Sequence, residues 1–140
     1  MNIIKYLVDM RNRHLVSAQA KEIRSILKYG DILSEKDMYC RLKKFLGKGS
    51  FDKKILEIGC GPGKYVAMIE KLGHHVIGAD PHRFENWKEI KNDNIEFVDN
   101  VYGENLPFQD NEFDNSVCLG TLLYFNSPKK ALEEIKRVTK

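Results

Sequence analysis

The chain has 140 residues, of which 42% are hydrophobic and 31% charged, and its formal net charge is +3 at pH 7. This length suits one domain with its own core, and the composition is typical of a folded protein rather than a disordered one. No apolar run approaches the roughly 20 residues of a membrane span, and no signal-peptide pattern is present, so we predict a cytoplasmic protein without membrane attachment.

The cysteines and the charge distribution exclude several kinds of site. Cys40, Cys60 and Cys118 are widely spaced and form no CxxC pair or Cys/His cluster, which argues against a disulfide framework and against a metal site. Residues 1–50 hold eleven Lys and Arg against five Asp and Glu, whereas residues 51–140 hold twelve against fifteen. A basic segment is compatible with a nucleic-acid partner, but a solvated helical face is the simpler interpretation, and nucleic acid is not the expected partner.

Residues 1–50 are predicted to form a helical segment distinct from the rest of the chain. Near-helical apolar spacing predicts a first helix that ends at Gly30, carrying Ala18, Ile23, Ile26 and Leu27. Ser34 can cap a second helix that ends at Gly47 and Gly49, with an apolar stripe at Met38, Leu42, Phe45 and Leu46. Stripes of this kind usually indicate packing rather than a binding site.

From residue 51 onwards, short apolar runs alternate with helical patterns. The runs predict four strands, at 54–58, 75–79, 95–98 and 113–119. Helices are predicted after the first strand, around 84–90, and from Pro128, where proline suits a first helical turn. Strands that alternate with helices imply crossover connections and a parallel sheet.

A glycine-rich turn follows the first predicted strand, over residues 57–63 (EIGCGPG). Glycines permit the dihedral angles and the close backbone approach that are needed where a strand turns into a helix beside a ligand. The dinucleotide fingerprint G-x-G-x-x-G fails because Lys64 stands in place of its third glycine. The P-loop pattern fails because Ile58 replaces its first glycine and Tyr65 replaces its Ser or Thr.

The remaining pattern, E-x-G-x-G-x-G, resembles the first motif of the class I S-adenosylmethionine-dependent methyltransferases. Further stretches are similar to this family in the expected order. They are the second strand with a terminal acid at 76–80, the "ENLPF…D-x-x-FD" stretch at 104–114, the end of the fourth strand at 119–125, and the "E-I-x-R-V" helix ending at 134–138. The resemblance covers about residues 51–140.

The resemblance implies a Rossmann-like α/β fold with helices on both faces of the sheet. The family's strand order is 3-2-1-4-5-7-6, and this chain encodes 3-2-1-4, so it is expected to be a C-terminally truncated, partial domain over residues 51–140. Residues 1–50 would then form a cap or lid over the acceptor. Strand four would present an apolar edge at Val117, Cys118 and Leu119, and we predict that a second copy, a partner chain or the N-terminal helices cover it.

The resemblance also implies the cofactor, S-adenosylmethionine, with S-adenosylhomocysteine as product. Asp80 is expected to accept hydrogen bonds from the ribose hydroxyls, and Pro81 to pack on the adenine. The full expected set of cofactor-binding residues is Glu57, Gly59, Cys60, Gly61, Gly63, Asp80, Pro81, Glu104, Asn105, Leu106 and Leu119. Where the family often has an adenine-binding Asp this chain has Tyr102, and Asp99 upstream is a candidate substitute.

Methyl transfer is a direct displacement in which the cofactor carries the reactivity and the protein aligns the reactants and excludes water. We therefore predict no specific catalytic residue. His82 and Tyr124 are candidates for acceptor contact, whereas His74 and His75 are predicted to lie on the surface. A small-molecule acceptor is expected. The alternatives are a non-catalytic S-adenosylmethionine-binding subunit or truncated relic acting through a partner, and a nucleic-acid-directed methyltransferase.

Overall fold

The structure is a computed structural model, and it describes residues 35–47 and 51–140. The first predicted helix, Ser34 and Gly49 lie outside the described residues, so the division at residue 50 stays a prediction. Within the described ranges, the helices are α1 (Glu35–Leu46), α2 (Lys64–Glu70), α3 (Trp87–Ile90) and α4 (Pro128–Val138), with a 3-10 turn at Leu122–Tyr124. The strands are β1 (Lys54–Ile58), β2 (His75–Ala79), β3 (Ile95–Val98) and β4 (Asn115–Val117).

The four strands form one parallel sheet in the order β3-β2-β1-β4, which confirms the predicted order. In the register, Leu56 lies between Ile77 of β2 and Ser116 of β4. Because all four strands run the same way, their carboxyl ends meet at one edge, where ligands bind in open parallel sheets of this kind. The glycine-rich turn lies at that edge.

β4 and α3 are shorter than the sequence predicts. The Asp114 N–H donates to the Lys54 carbonyl at 2.9 Å, but the Lys54 N–H donates to the Asp114 carboxylate, also at 2.9 Å. A side chain thus supplies one of the two bonds at this pair, and the paired strand begins at Asn115. The helix predicted around 84–90 is a single turn that begins at Trp87. The later start of β4 reflects a side-chain contact that the local apolar pattern does not contain.

Helices cover both faces of the sheet, as predicted. One face carries Ile55 of β1 and a core built with α1, α2 and α3, whose buried members include Met38, Leu42, Leu46, Val66, Ile69 and Trp87. The opposite face carries Leu56 and Ile58 and a core built with α4, which includes Leu106, Phe113, Ile135 and Val138. The apolar stripe predicted for α1 is confirmed, because three of its four members are buried and Phe45 packs against the same core.

The outer edge of β4 is approached by the residues that follow α4. The N–H of Phe113 donates to the carbonyl of Val138, and the N–H of Lys140 donates to the carbonyl of Phe113, both at 2.9 Å. These two bonds pair Thr139 with Phe113 in an isolated parallel β-bridge. Over the described ranges, this pairing does not extend along Asn115–Val117. A second copy or a partner chain on that edge stays a prediction.

Three further observations bear on the sequence predictions. His74 is buried, so the prediction that it lies on the surface is wrong, whereas His75 is exposed. No helix in the described part of the chain is long and apolar enough to cross a bilayer. No group of three or more His, Cys, Asp or Glu side chains in that same part could hold a metal ion.

Candidate functional site

The glycine-rich turn joins β1 to α2, and its three glycines adopt left-handed backbone angles. Gly59, Gly61 and Gly63 have φ values of 71°, 49° and 84°, which side chains rarely tolerate. A Cβ on Gly59 would collide with the Thr121 side chain, and a Cβ on Gly63 would lie 2.7 Å from the Phe97 ring. A Cβ on Gly61 would meet nothing within 4 Å. Packing therefore explains two of the glycines, whereas Gly61 borders open space that a ligand can enter.

Asp80 follows β2 and holds the turn from one side. The residue is buried, Oδ2 accepts from the N–H of Gly61 at 2.9 Å, and Oδ1 accepts from the N–H of His82 at 2.9 Å. A carboxylate offers about four lone-pair sites, so these two bonds leave about two for a ligand. The acid that the sequence assigned to a ribose therefore lies directly against the glycine turn, and its ribose role stays a prediction.

Two residues that sequence reasoning missed hold the turn from another side. The indole Nε1 of Trp87 donates to the carbonyl of Gly61 at 2.8 Å, and the Asn86 amide donates to the carbonyl of Pro62 at 2.6 Å. The Trp87 ring stacks on Phe97 with a centroid distance of 4.6 Å. A tryptophan that is buried usually needs an acceptor for its indole N–H. Nothing in the sequence identifies that acceptor as Gly61.

Thr121 forms a third contact with the turn that the sequence did not reveal. Its hydroxyl donates to the carbonyl of Gly59 at 3.1 Å, and its methyl group fills the space where a Gly59 side chain would lie. Leu119, from the expected cofactor set, is buried in the core that faces α1 and α2. The segment after β4 thus closes the turn on the side opposite β2.

Glu57 is the first residue of the motif, and it is fully buried on the face of β1 that packs against α2. Neither carboxylate oxygen has a hydrogen-bond partner in the part of the chain that the structure describes. Burial raises the pKa of Glu57 well above its usual value, the nearby Val66 backbone amide opposes this, and the charge of Asp80 adds to it. The geometry therefore favours the neutral acid.

We expect Glu57→Gln to change how the stability of the fold depends on pH. Because the folded pKa lies above the unfolded one, wild-type stability falls as pH rises above the unfolded value near 4.5. Glutamine keeps the shape without titrating, so the variant gains on wild type by up to about 1.4 kcal/mol per pH unit between the two pKa values. Urea unfolding of both proteins from pH 4.5 to 8 measures this difference.

Glu85→Gln is the matched control, because the Glu85 side chain is solvent-exposed and its ion pair with Lys88 lies on the surface. We expect its stability to follow the wild-type curve at every pH. Parallel curves for wild type and Glu57→Gln would show that Glu57 does not titrate abnormally.

The two thiols of the expected site region are poor nucleophiles. Burial raises the pKa of Cys60, and the neighbouring Glu57 and Asp80 carboxylates add to the shift. Burial likewise raises the pKa of Cys118 to about 12. Cys60 is buried inside the turn, and its sulfur would be 2.9 Å from a Cβ on Gly78, so the thiol packs in space that Gly78 leaves free.

The residues expected from the 104–114 stretch have structural contacts of their own. Glu104 accepts from the N–H of Ser127, the cap of α4, at 3.0 Å. Leu106 is buried against α4, and its N–H donates to Glu134 at 2.8 Å, whereas Asn105 is exposed. These bonds tie the stretch to the N-terminal cap of α4 and to Glu134 within the helix. Assignment of the three residues to the cofactor stays a prediction.

The candidates for adenine and acceptor contact are half-buried or exposed residues. Pro81 is half-buried directly after Asp80, and the His82 side chain is 82% exposed with Nδ1 3.6 Å from Asp80 Oδ1. Tyr102 and Tyr124 are also exposed. The Asp99 carboxylate lies 3.8 Å from Arg83, and its role as a substitute for the adenine-binding Asp stays a prediction.

Comparison with known proteins places these features in a family. The family model described as "Methyltransferase domain" matches residues 56–140. A Schizosaccharomyces pombe protein named as an uncharacterized methyltransferase is 34% identical over 102 residues, which cover 62% of this chain and 36% of that protein. The tRNA U34 carboxymethyltransferase of Nautilia profundicola is 33% identical over 96 residues, covering 61% of this chain and 30% of that enzyme.

Solved structures show the same fold. A SAM dependent methyltransferase from Aquifex aeolicus superposes with a TM-score of 0.63 at 24% identity, over 73% of this chain and 58% of that one. The match between this chain and the two curated relatives spans only about a third of their length.

Proposed function

Because this chain belongs to the methyltransferase domain family, we propose that it binds S-adenosylmethionine at the glycine turn for methyl transfer to an acceptor. One observation carries the proposal. The open space beside Gly61 lies next to the Asp80 carboxylate, which is held against the turn by a hydrogen bond to Gly61 itself. A backbone that a ligand can approach and an acid that can accept from hydroxyl groups are thus side by side.

The residues present fit this cofactor. Asp80 would receive the ribose hydroxyls on its free lone pairs, and Pro81 would contact the adenine. Gly61, without a side chain, would let the methionine part approach the turn. Bound S-adenosylmethionine supplies a methyl group that is activated on a sulfonium sulfur.

The contribution of the protein is orientation rather than covalent chemistry. The thiols of Cys60 and Cys118 are held in the protonated form, so neither is proposed as a nucleophile. Aligning an acceptor with the methyl group and excluding water are sufficient, and a base is needed only if the acceptor must lose a proton. The exposed side chains of His82 and Tyr124 are the proposed acceptor contacts.

Calorimetric titration of the purified chain with S-adenosylhomocysteine tests the proposal, with adenosine and NAD⁺ as control ligands. We expect micromolar binding of S-adenosylhomocysteine and much weaker binding of both controls. A chain that is folded by circular dichroism but binds none of them would contradict the proposal. That result would favour the alternative of a subunit that works only with a partner.

A small molecule is the proposed acceptor, and RNA is the second candidate. The second candidate rests on relatives that are named as tRNA-modifying enzymes, together with the exposed basic residues of α1, which are Lys36, Arg41, Lys43 and Lys44. Transfer of labelled methyl groups to pooled tRNA and to small-molecule pools separates the two. RNA binding that weakens steeply with salt would support the second candidate, and cofactor binding without turnover would favour the non-catalytic alternative.

A further inference from the structure

Three side chains from one short stretch of chain contact three residues of the glycine turn. Trp87 donates to the carbonyl of Gly61 at 2.8 Å, and Asn86 donates to the carbonyl of Pro62 at 2.6 Å. Phe97 of β3 fills the space beside Gly63 and stacks on the Trp87 ring with an interplanar angle of 8°. We call Asn86, Trp87 and Phe97 the indole anchor.

We propose that Trp87 is a positioning residue for cofactor binding, which fixes the Gly61 peptide through its indole N–H before the ligand arrives. The proposal rests on the proposed function, because it takes the glycine turn as the cofactor site. It adds a residue that lies outside the motif and contributes through Gly61 rather than by touching the ligand.

Gly61 has more backbone freedom than a residue with a side chain. A glycine with open space around it samples both signs of φ in the absence of other restraints. Here the N–H of Gly61 is held by Asp80 and its carbonyl by Trp87, so its peptide units are restrained on both sides. A binding backbone that is already fixed loses less conformational freedom when the ligand binds, which strengthens binding.

Packing alone does not account for this arrangement. The Trp87 side chain is 6% exposed, and the stack on Phe97 explains why an aromatic ring is buried there. A phenylalanine would fill much of that space without a donor. The indole N–H and the Asn86 amide make separate bonds to neighbouring carbonyls of the turn, and a buried phenylalanine ring would need neither bond.

Trp87→Phe is the principal test, because it keeps an aromatic ring and removes the donor. We expect S-adenosylhomocysteine binding to weaken roughly fivefold, in line with the usual net contribution of one hydrogen bond. Asn86→Ala removes the second donor from a half-buried position and should act in the same direction. Phe84→Leu is the matched control. The Phe84 ring packs beside the Trp87 ring, with a distance of 5.8 Å between the ring centroids, but it makes no hydrogen bond to the turn in the described structure.

Amide hydrogen exchange of the ligand-free proteins gives a readout that is independent of binding. Exchange at Gly61 and Gly63 should be several-fold faster in Trp87→Phe and in Asn86→Ala, and unchanged in Phe84→Leu. The emission of Trp87, the single tryptophan of the sequence, should also change when S-adenosylhomocysteine binds the wild-type chain.

The outcomes separate this inference from the proposed function. If the wild-type chain does not bind, the proposed function fails, and the exchange rates still decide whether the anchor holds the turn. Wild-type affinity and wild-type exchange in Trp87→Phe would overturn the anchor while leaving the proposed function intact. If Trp87→Phe does not fold, Asn86→Ala decides by the same two measurements.

Discussion

Asp80→Ala is expected to weaken S-adenosylhomocysteine binding by about 100-fold or more. The carboxylate would accept from the ribose hydroxyls, and each hydrogen bond to a charged group contributes about 1.5–3 kcal/mol. The substitution also removes the acceptor of the Gly61 N–H, so the turn loses one of its restraints. Calorimetric titration of the variant beside wild type measures the loss, with circular dichroism to confirm that the variant is folded.

Asp110→Ala is the matched control for this prediction. Asp110 is an exposed carboxylate that faces Arg137, and it makes no contact with Gly61 in the described structure. We expect its affinity to stay within about twofold of wild type, as surface ion pairs contribute little. Asp80→Asn, which keeps one carbonyl oxygen, should fall between wild type and alanine. Wild-type affinity in Asp80→Ala would remove Asp80 from the cofactor site.

Gly61→Ala is expected to remove most of the cofactor affinity while leaving the fold intact. The new methyl group would occupy the open space through which the ligand is proposed to reach the turn. The variant should also lose roughly 1–2 kcal/mol of folding stability, because its alanine must adopt the left-handed backbone conformation at φ 49°. We expect affinity to fall by about 30-fold or more, the equivalent of about 2 kcal/mol. Urea unfolding and calorimetry on the same preparation measure the two effects.

Two control variants show whether the effect is specific to the position. Gly59→Ala brings a methyl group against Thr121 and should destabilise the fold more than Gly61→Ala does. Asn111→Ala has a similar φ of 56° but lies next to Glu112, outside the turn, and should leave binding unchanged. If Gly61→Ala binds as tightly as wild type, the ligand does not approach the backbone at Gly61.

The regular elements were predictable because their signals are local. The strand at 54–58, the strand at 75–79 and the helix from Pro128 to Val138 have the bounds that apolar spacing and a first-turn proline indicate. The paired part of β4 begins only at Asn115, and before it the Asp114 carboxylate, rather than a backbone carbonyl, accepts from the Lys54 N–H. A hydropathy pattern contains no information on which side chain replaces a ladder bond.

The glycine turn was predictable in outline, and its surroundings were not. The motif does not distinguish among its three glycines. In the structure, a Cβ added at Gly59 or Gly63 would collide with protein atoms, whereas a Cβ added at Gly61 would not. Trp87 and Thr121 reach the turn from 26 and 62 residues along the chain, so their roles arise from tertiary packing. The same holds for Leu106, whose place in the core beside α4 is not visible in its motif.

The contacts around the turn differ in chain separation, which has a consequence for the order of folding events. The bond from Gly61 to Asp80 spans 19 residues, whereas the bond from Thr121 to Gly59 spans 62. Closing the longer loop costs about 1 kcal/mol more in chain entropy by the logarithmic dependence on length. We expect pulse-labelling hydrogen exchange during refolding to protect the Gly61 amide before the amides of β4. Simultaneous protection would contradict this order. During synthesis, the contact between Asp80 and the turn would then form well before the contact between Thr121 and the turn. This order would hold even after both segments of the chain have left the ribosome.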